Sequence, residues 1–220
     1  DYLFGSPSTN EVLEYGHRFR VNWEEGQKTG FFLDQRENRS LLAKYVPGRR
    51  VLNTFCYSGG FSVYALQAGA ALVHSVDSSA KAIGWTHENV ALNDRSHGEH
   101  TAFATDVFTY LKECDPDYDV IVLDPPAFAK NLSARHQAVM AYKRLNNLAL
   151  TKLRPGGILF TFSCSQVVTP DLFQGGVVAG AIESGKQIRI LERLSQPADH
   201  PVSLYHPEGL YLKGLVLAVN

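Results

Sequence analysis

Two short stretches of this 220-residue chain carry residue types suited to chemistry. FTFSCSQ (160–166) sets Cys164 where an apolar strand runs out, with Ser163 and Ser165 polar on either side. VLDPPAF (122–128) ends another apolar run on Asp124, and Pro125 and Pro126 keep the following loop out of any sheet. A thiolate attacks electrophilic carbon. A rigidly held carboxylate accepts hydrogen bonds from a base amino group or orients an extruded base. Methylation of cytosine carbon 5 requires such a cysteine. Thiolate addition to carbon 6 makes carbon 5 nucleophilic, and a base then removes the carbon-5 proton so that the thiol can leave. Two readings of Cys164 stand, because free cysteines are also among the most buried residue types. Cys56 and Cys114 read as packing residues, Cys56 being the nearer competitor at its own strand end.

Further acids and glycines suggest a ligand. Phe55, Tyr57, Ser58, Gly59 and Gly60 form a glycine turn after an apolar run, where the backbone can approach a ligand closely. Asp77, followed by Ser78, ends the next run and suits two ribose hydroxyls. Asp106 is placed for an adenine amino group, with Val107 and Phe108 as apolar walls. The chain has neither GxGxxG nor GxxxxGK[ST], so a diphosphate cradle is absent and a nicotinamide oxidoreductase or P-loop enzyme is disfavoured. A nucleoside without phosphates, such as S-adenosylmethionine, fits better; the competing reading is ordinary turn and cap residues. Lys28, Gln35, Arg36 and Arg39 crowd a glycine turn and a helix start, Arg36 and Arg39 being spaced to share a face. They suit a donor carboxylate or RNA phosphate, or are simply solvated. Phe128 either stacks on a base or belongs to the core. His200, His206 and Glu208 lack metal-ligand spacing, and no metal is expected.

These residues need a scaffold, and the pattern supplies one. After a turn-rich opening to Asn10, residues 12–23 alternate as strand material. A helix follows from Asp34, a plausible N-cap with Glu37 in the capping-box position. Strands then alternate with helices from residue 51 onward: RVLNTFCY, ALVHSVD, TAFATD, YDVIVLD, ILFTFSC, QIRILERL and YLKGLVLAV. YDVIVLD is almost wholly apolar, as a central strand covered on both faces must be. Thr169 and Pro170 cap the helix after the fifth strand. The expected class is α/β, a doubly wound, mostly parallel sheet with ligands beyond the carboxyl ends of its strands.

Composition sets the outer limits. The chain is 45% hydrophobic and 20% charged, with a formal net charge of −1, so it is no generic cationic nucleic-acid coat. Three cysteines without CxxC spacing argue against a disulfide framework or structural zinc and fit a reducing cytoplasm. No apolar run approaches the roughly 18 residues of a membrane span, and DYLFGSPSTN is no secretory leader.

Six ordered blocks resemble the bacterial large-subunit ribosomal RNA cytosine-C5 methyltransferases: TGFFLDQRENR (29–39), VLNTFCYSGGFSVYAL (51–66), SVDSS (75–79), VLDPPAFAKN (122–131), GGILFTFSCS (156–165) and ADHPVSLYHPEGLYLKG (198–214). The resemblance implies a class I, Rossmann-like sheet of seven strands with the last antiparallel, and S-adenosylmethionine as donor. It implies Cys164 as nucleophile, Asp124 beside the base, Asp77 on the ribose and Asp106 near the adenine. Pro125, Pro126, Phe128, Lys28 and Arg39 fall on the substrate side; Gln35 and Arg36 fall with the donor. Residues 1–30 resemble only the end of a β-rich middle domain or a hairpin, and 31–220 the methyltransferase domain. Large-subunit rRNA or an assembly intermediate is the implied partner, and a homodimer is allowed for. One cytosine-methylating branch carries its nucleophile directly after the two prolines, where this chain has Ala127. A guanine-N7 branch shares several blocks but lacks the cysteine after the fifth strand; it is the runner-up, with a non-catalytic RNA-binding protein as a further alternative.

Overall fold

The computed structural model describes residues 10–93, 98–115 and 117–220; the turn-rich opening lies outside them, apart from Asn10. β1 (Glu11–Glu14) and β2 (His17–Arg20) form an antiparallel hairpin. Both residues of its two-residue turn, Tyr15 and Gly16, have positive φ (49° and 85°), the twist that suits so short a connection. A 3-10 turn (Leu33–Gln35) leads directly into α1 (Arg36–Leu42). Asp34 does not cap this helix: its carboxylate accepts a hydrogen bond from Tyr211, far along the chain.

The rest is the expected alternation: β3 (Arg50–Thr54), α2 (Gly60–Gln67), β4 (Leu72–Asp77), α3 (Ala80–Ala91), β5 (Glu99–Ala104), α4 (Val107–Glu113), β6 (Tyr118–Leu123), α5 (Arg135–Lys152), β7 (Leu153–Ser163), α6 (Pro170–Ser184), β8 (Ile188–Leu194) and β9 (Lys213–Val219). Strand order is β5-β4-β3-β6-β7-β9-β8. Pairings from β5 to β7 are parallel, and β9 runs antiparallel to both β7 and β8. Strand order reverses between β3 and β6, which makes that point the crevice where ligands enter such sheets. No helix among the described residues is long and apolar enough to cross a membrane.

Alternating side chains of β6 join two different cores, as a covered central strand requires. Val120 and Val122 pack with α1, α2 and α3; Ile121 and Leu123 pack with α4, α5 and α6. The hairpin is tied into the first core through Phe19, with Val21 and Phe31 beside it. β7 starts at Leu153, earlier than its apolar run suggests, because a register shift against β6 absorbs Pro155 and the glycines after it. It ends at Ser163, so Cys164 lies one residue beyond the strand instead of inside it.

Candidate active site

Chain reversal at the end of β3 is built from unusual backbone. Phe55, Tyr57 and Gly59 all have positive φ (53°, 48° and 78°). A Cβ on Gly59 would stand 2.8 Å from Thr86 Cγ2, so the position demands glycine for space as well as for conformation. Asp77, at the end of neighbouring β4, fastens this turn: Oδ2 accepts from the Tyr57 N–H at 3.0 Å and Oδ1 from the Ser79 N–H at 2.9 Å. Each oxygen keeps a further lone pair for a ligand hydroxyl.

A cleft of ≈ 190 Å³ opens here across the switch point. Phe55, Asp77 and Ser78 line one end; Asp124, Pro125, Pro126 and Cys164 line the other, with Lys28, Phe32, Asp34 and Gln35 between. A smaller recess behind it is lined by Tyr57, Ser58 and Gly60. Residues far apart in sequence thus share one trough because they sit on successive strand ends. The donor set suits a nucleoside carrying a positively charged sulfur. Asp77 keeps lone pairs for ligand hydroxyls, and Phe55 lends aromatic carbon to the same cleft.

At the other end, Cys164 is partly buried between two fully buried serines. Its Sγ donates to the Pro125 carbonyl at 3.8 Å, so it stands against the Asp-Pro-Pro loop. Ser165 Oγ donates to the Ala129 carbonyl at 2.6 Å and binds the two loops together. Burial, then the Asp124 carboxylate, push the Cys164 thiol upward, while Lys28 pulls it down. Asp124 is itself pushed up to about 7, mainly by burial and next by Asp34. Gln35 counters this by donating from Nε2 to Asp124 Oδ1 at 2.9 Å, and Asn38 holds the other end of that amide at 2.7 Å. Burial thus holds Asp124 well above the usual carboxylate range and favours the neutral thiol of Cys164. Cys56 is buried and pushed up to about 12, chiefly by burial, as a packing thiol would be.

Several sequence expectations need correction. Arg39, expected on the substrate side, is 3% exposed: its Nε and Nη2 donate to both oxygens of Glu14 at 2.8 Å, and it borders only the small recess it shares with Gln35 and Asp124, not the cleft itself. It anchors the hairpin to α1. Arg36 turns outward to Asp199 (2.8 Å) and Glu37 (3.2 Å) and borders a groove at the hairpin instead of the cleft. Asp106 caps α4, with Oδ1 accepting from the Thr109 N–H at 2.9 Å, and Val107 is buried in the core; neither borders the cleft. Phe128 packs on Tyr142, with ring centroids 4.8 Å apart, beside the core. The Tyr57 hydroxyl accepts from the Gln27 N–H at 2.9 Å and so holds the loop that carries Lys28. Asp34, read from the sequence only as a helix cap, accepts from Tyr211 at 2.7 Å, and Lys213 Nζ donates to the Ser165 carbonyl at 2.6 Å; neither Tyr211 nor Lys213 stood out from spacing. YLKG was visible as part of a block, but nothing local in it marks the lysine.

Comparison with known proteins agrees with this geometry. Residues 1–213 match the family model described as S-adenosylmethionine-dependent methyltransferase. The chain is 45% identical over 211 residues to ribosomal RNA large subunit methyltransferase I of Shewanella amazonensis, covering 94% of this chain and 53% of that protein. It therefore spans about half the length of the curated relatives it matches. Among solved structures, the methyltransferase SMU.776, complexed with SAH, superposes with a TM-score of 0.83 at 28% identity, over 99% of this chain and 58% of that one. A SAM-dependent methyltransferase from Streptococcus mutans gives a TM-score of 0.85 at 27% identity, over 99% and 57%. With its seven-stranded sheet, its last strand antiparallel and its cleft at the switch point, the chain belongs to the S-adenosylmethionine-dependent methyltransferase family.

Proposed function

We propose that this chain is the catalytic part of a large-subunit rRNA methyltransferase acting on cytosine carbon 5, with Cys164 as nucleophile. One observation carries the reading: Cys164 and Asp124, from two different strand ends, line the same cleft as Asp77. The RNA class rests on the curated relatives, which are large-subunit rRNA methyltransferases.

Bound S-adenosylmethionine supplies an electrophilic methyl group. Asp77 and the Phe55–Gly60 turn hold its nucleoside. Asp124 and Pro125 seat the cytosine beside it, and Lys28 meets the RNA backbone. Cys164 releases its proton to solvent, and the thiolate bonds to carbon 6 as the carbon 5–carbon 6 π pair shifts onto carbon 5. Carbon 5 then takes the methyl group, the donor's sulfur–methyl bond breaking to leave S-adenosylhomocysteine. Loss of the carbon-5 proton to a base expels the thiolate and restores the ring. In its ionised form Asp124 orients the base by accepting hydrogen bonds from the amino group.

The remaining assignments are part of the same reading. Residues 31–220 form the methyltransferase unit, residues 1–30 are the end of a β-rich middle domain or a hairpin, and the setting is the cytoplasm. The test treats large-subunit rRNA with full-length enzyme and isotopically labelled donor, followed by nucleoside mass spectrometry. Labelled 5-methylcytidine, together with a covalent adduct on 5-fluorocytosine RNA, is the expected result. Labelled 7-methylguanosine without an adduct would overturn it in favour of the guanine-N7 branch.

A further inference from the structure

The geometry points to Lys213 as the positioning residue that holds and electrostatically supports Cys164 from inside the fold. This rests on the reading of Cys164 as nucleophile.

Antiparallel register sets Lys213, the first residue of β9, opposite Ser163, the last of β7. Its side chain is turned inward, 6% exposed, and Nζ donates to the Ser165 carbonyl. That bond and the one from Ser165 Oγ to Ala129 hold the residue after Cys164 on two sides. The Cys164 backbone is therefore pinned between β9 and the Asp-Pro-Pro loop.

A buried ammonium is costly unless a negative charge answers it. Among the described residues no carboxylate forms an ion pair with Lys213, and the charge that favours its protonated form is the thiolate of Cys164. Burial acts first and lowers Lys213 to about 8, which still leaves it largely charged at pH 7. Other titratable groups surround the thiol. Asp124 and Asp34 oppose the thiolate, Lys28 favours it from the open side of the cleft, and the phenols of Tyr142 and Tyr211 lie close by. Lys28 borders the opening, where RNA phosphate would compete for it; Lys213 is sealed beneath. A buried cation held on the carbonyl of the residue after Cys164, out of reach of substrate, answers the two carboxylates that disfavour the attacking form.

Alkylation of Cys164 by iodoacetamide, followed by peptide mass spectrometry against pH, tests this in the full-length protein. The thiol releases its proton to solvent, and the thiolate forms the S–C bond as iodide leaves. Lys213→Met should slow alkylation about tenfold at pH 7, displace the profile to higher pH, and keep S-adenosylhomocysteine affinity within about twofold. Lys213→Arg should restore the rate. An unchanged profile in a Lys213→Met protein that still binds S-adenosylhomocysteine overturns the inference. If Lys213→Met loses that binding, the Gln and Arg variants decide: slowing in Gln alone supports the role, and identical profiles overturn it. Failure of Cys164 as the nucleophile would show separately, as cytosine methylation by Cys164→Ala, whatever the alkylation profile.

Discussion

The two ends of the cleft are held by different means. At the β3–β4 end, geometry resides in the backbone: three positive φ angles, a glycine without room for a Cβ, and a carboxylate bonded to two N–H groups. At the β6–β7 end, side chains from distant segments do the holding: Asn38 to Gln35 to Asp124, Ser165 to Ala129, and Lys213 to Ser165. A backbone-built end suits binding one invariant donor, whose shape never changes. A network of side chains suits chemistry, because protonation states can shift without moving the main chain.

Substitutions at either end should therefore separate binding from reaction. Cys164→Ala should lower methyl transfer by at least about 10³-fold, with donor affinity almost unchanged by calorimetric titration. Retained activity would remove the covalent step. Gly59→Ala should do the opposite. The left-handed backbone and the contact with Thr86 would cost about 1–2 kcal/mol, lower S-adenosylhomocysteine affinity about tenfold, and leave the Cys164 alkylation profile intact.

Asp124 offers a test by pH. Folding raises it from 3.8 to about 7, so the folded chain binds more protons than the unfolded chain between those values. Its contribution to stability is full below 3.8 and is lost as pH rises through about 7. Asp124→Asn escapes that loss. Its melting temperature should match the parent near pH 3.5 and exceed it by roughly 10 °C at pH 8. A constant difference across pH would mean that Asp124 is not raised. The smallest effect is expected from Gln35→Leu. Removing the amide that favours the carboxylate should move the Asp124-dependent limb of the activity profile to higher pH, with donor affinity within about twofold.

Local pattern made the scaffold legible. β6 declared itself by an unbroken apolar run, α6 by Thr169 and Pro170, and the turn after β3 by glycines between a strand and a helix. Cys164, Asp124 and Asp77 stood out because they lie at or just past strand ends, where such folds bind ligands, and the fold brings all three to one cleft. Charged residues in loops and on short helices were harder. Arg39 looked available because its partner, Glu14, lies on another element, and local spacing cannot reveal a buried bidentate pair. Asp34 fitted a cap by spacing, yet a 3-10 turn left it free to meet Tyr211.

From the sequence alone came the alternating architecture, the ligand end of the sheet, and the family resemblance that singled out Cys164, because period and strand-end position are local properties of a chain. Only the tertiary structure decided which charges face the cleft. It buried Arg39 against Glu14, turned Arg36 toward Asp199, and set Lys213 behind Ser165 through the pairing of β9 with β7. The environment of a charge depends on elements brought together by packing, and that information is spread over the whole fold.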